Sequence, residues 1–190
     1  MFDVRFLRSL GRRYAASGQG RRQLIDIANL AQHLAKQAIF TAQRGDLPGA
    51  LVMLQAAEEQ LKKGQLVCRR VEELNTLGSW RAALEEYTEA KLFVMYLKTG
   101  RVGRLPNLAI TVEIYLSGLA DFVGELVRYA VKLATARKTD EVGQLVDLAT
   151  VIVAELSAMN LTGYLRSKFD QAKQHLRKLE DIRYDLSLRD

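Results

Sequence analysis

Apolar positions recur at helical spacing along nearly the whole chain. Beyond Gly18-Gln19-Gly20, which predicts a break, residues 21–44 place Leu24, Ile27, Leu30/Ala31, Leu34, Ala38 and Phe40/Thr41 three or four apart, as on one helix face. Gly45 ends that segment. Asp46 suits the N-cap of a second helix with Pro48 in its first turn. The second helix carries Leu51, Leu54, Ala57 and Leu61 and is predicted to stop at Lys62-Lys63-Gly64, cations followed by a C-cap glycine. A shorter helical piece is expected around residues 68–74. A third helix covers about residues 80–98 and is closed by Gly100, before a loop at residues 100–106.

From about residue 107 to 137 the sequence is apolar on nearly every side, which marks a central helix. A fifth helix covers about residues 140–159. The last covers about 163–186, where Leu165, Phe169, Ala172, Leu176 and Leu179 form a seam for a neighbouring helix. No repeat at solenoid periods and no low-complexity segment interrupts this pattern. With two prolines, Pro48 and Pro106, and no Asn-Gly pair, the frequent turns of a sandwich or barrel are missing. The expectation is an all-α fold: one antiparallel bundle of about six to seven helices over residues 1–190, with residues 1–19 as a basic N-terminal helix or arm.

Composition narrows the chemistry. The chain has 190 residues, enough for one domain with a proper core. The single cysteine, Cys68, excludes an internal disulfide and a multi-cysteine zinc site, and fits a reducing compartment and a small core residue. His33 and His175 offer little to a histidine-built metal site, and neither is assigned a role. A net charge of +6 favours an anionic partner. Much of it lies in residues 1–22, where Arg5, Arg8, Arg12, Arg13, Arg21 and Arg22 face one acid, Asp3. An arginine-rich, acid-poor start also fits an organelle transit peptide, but Phe2, Phe6, Leu7 and Leu10 favour an amphipathic first helix. The most apolar stretch, residues 108–126, is interrupted by Glu113, Asp121 and Glu125. No membrane partner is expected, and the location expected is cytoplasmic.

Two acidic constellations do not suit a bland bundle. Glu86 and Glu89 share a helix face with Phe93 and Tyr96/Leu97, so they are predicted to point inward. Asp121 and Glu125 lie four apart on the most apolar helix, in a polar stripe with Ser117 and Glu113. Removing a carboxylate from water is costly unless it is neutralised. Pairing with Arg128 and Lys91, or simple solvation, is one solution. A divalent cation is the other, and an all-oxygen donor set selects Mg²⁺ or Mn²⁺. A di-iron bundle needs Glu-x-x-His, which neither histidine provides. Spacing alone leaves the choice open.

The stretch Leu84-Glu85-Glu86-Tyr87-Thr88-Glu89-Ala90, taken with Gly118-Leu119-Ala120-Asp121-Phe122-Val123-Gly124-Glu125-Leu126, resembles the translin family. The likeness is strongest to its translin-associated factor X branch. Lys36-Gln37-Ala38-Ile39-Phe40 and Tyr115-Leu116-Ser117-Gly118 add to it. Lys168-Phe169-Asp170 and the terminal Tyr184-Asp185-Leu186-Ser187-Leu188-Arg189 look more like translin itself. Compact loops fit a prokaryotic or archaeal member.

The resemblance implies an all-α protein that assembles into a hollow homo-octameric shell around RNA or single-stranded DNA. It also implies a Mg²⁺-dependent endoribonuclease whose metal and catalytic residues are Glu86, Glu89, Asp121 and Glu125. A binding shell without catalysis is the alternative. Glu85 points about 100° around the helix and supports the site at most, while Glu113 is structural. Arg81 is the foremost nucleic-acid contact by the same resemblance, beside Trp80, which serves as core or stacks a base. Arg12, Arg13, Arg21, Arg22, Arg69 and Arg70 are further candidate phosphate contacts.

Overall fold

The computed structural model describes residues 3–188, apart from the side chain of Ala16. Phe2 and Arg189, named above, lie outside the described residues. Six α-helices and one short 3-10 helix follow one another with no strand among the described residues. They are α1 (Val4–Gln43), α2 (Leu47–Arg70), the 3-10 helix (Glu72–Thr76), α3 (Gly78–Thr99), α4 (Val112–Thr135), α5 (Thr139–Ala158) and α6 (Gly163–Ser187). The all-α expectation holds. Helix α1 packs on α2 and α3, α3 packs on α4, and α4 packs on both α5 and α6. Short links turn consecutive helices back on one another, so α3 and α4 form the seam between a front and a rear group. No helix among the described residues is long and apolar enough to cross a membrane.

The caps behave as predicted where they are local. Asp46 accepts from the Gly49 N–H at 2.9 Å, with Pro48 in the first turn of α2. Gly100 ends α3 in the left-handed region at φ 69°, where a side chain would be strained. Thr111 accepts from the Ile114 N–H at 3.3 Å and starts α4. The loop before it therefore runs over residues 100–111, longer than predicted, and Tyr115 anchors it by donating to the Gly103 carbonyl at 2.8 Å.

Three expectations need correction, each because tertiary packing overrides a local signal. Gly18-Gln19-Gly20 does not break the chain; α1 is one helix through it. Gly20 instead lets the 3-10 helix and the end of α2 approach, since a Cβ there would lie 3.3 Å from Leu74 and 3.7 Å from Val67. Lys62-Lys63-Gly64 does not end α2. Gly64 is the floor beneath Trp80, whose ring would lie 2.4 Å from an added Cβ. The buried face of α1 is the predicted series only in part: Leu24, Ala31, Ala38 and Thr41 are buried and Ile27 and Leu34 half-buried. Leu24, Ala28, Ala31, Ala35, Ala38 and Ala42 line it, while Leu30 and Phe40 are exposed. Alanines at three- and four-residue spacing admit α2 and α3 closely, and larger side chains are turned out.

The first third of α1 keeps Val4, Phe6, Leu7 and Tyr14 exposed, consistent with an arm rather than a packed element. The seam of α6 is only partly as drawn: Phe169, Ala172 and Leu179 are buried, while Leu165 and Leu176 are half-buried.

Candidate functional site

The α3–α4 crossing brings the two acidic motifs together. At Gly118 an added Cβ would lie 2.7 Å from Thr88 and 3.0 Å from the Glu85 carbonyl. Only glycine permits that approach, and it sets Glu86 and Glu89 of α3 opposite Asp121 and Glu125 of α4. Glu86, Glu89 and Glu125 line one cavity of about 300 Å³, with Lys36, Phe40 and Arg128 on its wall. Asp121 is not on that wall but lies within electrostatic reach of Glu86 and Glu89.

Protein groups hold three of the four acids. Lys36 of α1 lies 3.6 Å from Glu86. Lys168 of α6 donates to Asp121 at 2.6 Å. Arg128 lies 3.5 Å from Glu125, which also accepts from the Gln43 amide. Glu89 has no such partner among the described residues. Burial, then the charges of Asp121, Glu86 and Glu125, push its carboxyl up to about 9, against a partial offset by Lys168. Burial raises Glu86 despite Lys36 and Gln32, and raises Glu125 despite Arg128. Lys168 is drawn the other way: burial opposes its charge, but Asp121 outweighs that and lifts it.

Four hard oxygen donors with fewer cations among them suit a hard divalent cation by chemistry. Their present directions do not: among the described residues no three acidic, cysteine or histidine side chains converge as a ligand set. Gathering these acids on one ion requires Asp121 to turn from Lys168, and Glu125 from Arg128 and Gln43. Pairing with Arg128 is as anticipated. Lys91 instead lies 3.7 Å from Glu58, on another part of the bundle.

Glu85 points away, as its position on the helix dictates, and accepts from the Tyr164 hydroxyl at 2.7 Å. Trp80 is buried core over Gly64, which removes it as a base-stacking surface. Cys68 is likewise a buried free thiol. Glu113 is exposed at the far end of the predicted stripe, in a cavity of about 650 Å³ with Arg69 and Arg81.

The predicted arginines do not gather at the acids. Arg69 and Arg81 share that Glu113 cavity, and Arg13 and Arg70 share another with Glu72 and Glu73. Arg12, Arg21 and Arg22 are exposed along α1. The cations that do reach the acids are Lys36, Arg128 and Lys168, each from a different helix. His175 is half-buried on α6, its ring where a Gly124 Cβ would stand at 2.9 Å. Its Nδ1 is buried without a partner, and burial lowers its basicity. Lys168 and His175 are seven apart, two turns along one face, the one signal in sequence that links them.

Comparison with known proteins agrees with this architecture. The Translin family model matches residues 19–190. Translin of Gallus gallus is 27% identical over 125 residues, covering 58% of this chain and 55% of that protein, so the match spans little more than half of that relative. The solved apo-NeC3PO is similar in fold, with a TM-score of 0.88, 19% identity and 98% of each chain covered. AfC3PO gives a TM-score of 0.85 at 21% identity over 96% of this chain and 97% of that one. AfC3PO in complex with duplex RNA gives 0.84 at 20% identity over 96% of each.

Proposed function

The chain belongs to the translin family, and from that premise we propose that it is an RNA-binding member of an oligomeric shell and a divalent-metal-dependent endoribonuclease. Glu86, Glu89, Asp121 and Glu125 would hold Mg²⁺ or Mn²⁺. The observation that carries this is Glu89: a carboxyl in a cavity, bonded to no cation among the described residues, with three other acids around it. A bundle gains nothing in stability from such a cluster. A cavity built to accept added positive charge explains it.

A bound divalent ion supplies charge to a phosphate under attack and makes a nearby water more acidic. The chain's own groups do the rest. Lys36 and Gln32 hold Glu86, while Gln43, Arg128 and Lys168 hold Glu125 and Asp121 until the two acids turn to an ion and free those donors. Lys36, Arg128 and Lys168 then face the phosphates. Glu89 retains its proton at neutral pH until positive charge arrives beside it.

RNA binding is proposed to rest on phosphate contacts, as the fold shared with AfC3PO and its duplex RNA complex supports. Arg81, Arg69, Arg70, Arg12, Arg13, Arg21 and Arg22 are exposed cations available for it. A homo-octamer is the assembly proposed. Single-stranded DNA is a further ligand of the same chemistry. One observation favours a binding shell without catalysis: Lys168 and Arg128 already engage Asp121 and Glu125.

A labelled single-stranded RNA, given to wild type and Glu89→Gln with Mg²⁺ or with EDTA, decides between them. Wild type should bind throughout and cut with Mg²⁺ alone. Glu89→Gln should bind equally and cut about 100-fold more slowly. Binding without metal-dependent cutting by wild type would establish the shell reading instead. Light scattering on the same samples reads the assembly mass.

A further inference from the structure

Phe40 is out of place in a helical bundle. It sits in the last turn of α1 between buried Ala38, Ile39, Thr41 and Ala42, yet more than half of it (54%) is exposed. It stands on the shared wall of two cavities. One is the carboxylate cavity. The other, about 440 Å³, lies between the end of α1 and the second half of α4 and is lined by Phe40, Gln43, Arg44, Arg128, Tyr129 and Lys132. No acid lines this second cavity. Its volume falls within the roughly 300–1,000 Å³ typical of small-molecule sites.

The lining has a definite chemistry. Phe40 of α1 and Arg44, the residue capping its C-terminus, are four apart, and Arg128 and Lys132 are four apart on α4, so each pair shares a side. Tyr129 is fixed edge-on against Phe93, with ring centroids 5.9 Å apart, and forms a rigid side wall. Lys132 donates to the Gln43 carbonyl, while Gln43 reaches Glu125, so the two cavities are tied by one residue. An exposed aromatic side chain beside Arg44, Lys132 and Arg128, the last also paired with Glu125 of the adjoining cavity, fits a nucleobase and its phosphate.

We propose that this cavity is a nucleotide subsite: an unpaired base stacks on Phe40 and its phosphate is held by Arg44, Arg128 and Lys132. Because Arg128 and Phe40 face both cavities, that nucleotide adjoins the phosphate at the acids. A base engaged in a duplex does not present its face to Phe40, so the subsite selects single-stranded RNA next to the cut. Its place beside the cut rests on the carboxylate cavity being the hydrolytic site; the stacking itself does not.

The test uses the full chain in EDTA, where nothing is cut. Two probes are compared: an oligoadenylate of eight residues, and inorganic polyphosphate, which carries the charge without bases. Phe40→Ala should weaken oligoadenylate binding about tenfold and leave polyphosphate binding within about twofold. Arg44→Ala should weaken both. Phe40→Trp should restore oligoadenylate affinity, and its indole emission should be quenched by oligoadenylate but not by polyphosphate. Equal affinities for Phe40→Ala and wild type, or an indole that does not respond to bound oligoadenylate, overturns the subsite. So does a change in assembly mass on Phe40→Ala with RNA affinity intact, which would make Phe40 a contact between copies. Failure of wild type to bind oligoadenylate at all would overturn the proposed function as well. Binding and Mg²⁺-dependent cutting that ignore Phe40 would overturn this inference alone.

Discussion

Glu58 and Glu89 are two acids of one bundle treated in opposite ways. Glu58, on α2, is buried, and burial works to raise its carboxyl. Lys62 donates to it at 2.7 Å, the Tyr87 hydroxyl at 2.7 Å and Asn107 at 3.5 Å; these outweigh burial and hold it below the usual carboxylate range. Lys91 stands 3.7 Å away as a second cation. Glu89, on α3, has burial and three acidic neighbours acting in the same direction, with Lys168 alone opposing. The first acid is finished: every donor it needs is protein. The second has no protein donor bonded to it among the described residues, which is what the proposed cation site rests on. A buried charge that stabilises a fold arrives with its partners, and one kept for function does not.

The largest expected effect breaks the closed side of this contrast. Glu58→Ala leaves Lys62, Lys91 and the Tyr87 hydroxyl without their acceptor, and should cost about 3 kcal/mol in urea unfolding. The next sharpens the open side. The Glu89 carboxyl titrates near 4.5 when unfolded and near 9 when folded, so between those values the folded chain holds a proton the unfolded chain has released. Stability therefore falls as pH rises through that window. Glu89→Gln removes the loss: it should be more stable than wild type by on the order of 2 kcal/mol at pH 6 and equal to it below pH 4. Identical pH profiles would show that Glu89 is already compensated. The smallest effect removes one donor of several. Tyr87→Phe should cost about 1 kcal/mol by the same measurement and lift the Glu58 carboxyl, with Lys62 and Asn107 still in place.

Much of this was legible from spacing. The six-helix pattern, the Asp46 and Gly100 caps, and the inward face of Glu86 and Glu89 follow from periodicity and local chemistry. The failures share a cause. Gly20 and Gly64 read as punctuation because a missing side chain near a boundary favours helix ends, yet each sits where another element presses in. Spacing left Leu30/Ala31 and Phe40/Thr41 as alternatives, and packing took the smaller member of each for the buried face of α1. The partners of the acids were harder still. Gln43, Lys36 and Lys168 lie on α1 and α6, tens of residues from the carboxylates they touch, and no local pattern joins them.

The sequence by itself determined what is local: an all-α chain, its helix faces, and two pairs of acids each placed on a single face by a three- or four-residue step. Tertiary structure decided the rest, because charge compensation depends on distance in space. Gly118 against Thr88 closed the α3–α4 crossing, and that approach made two separate acidic pairs one cluster, gave three of its members protein partners, and left Glu89 without one.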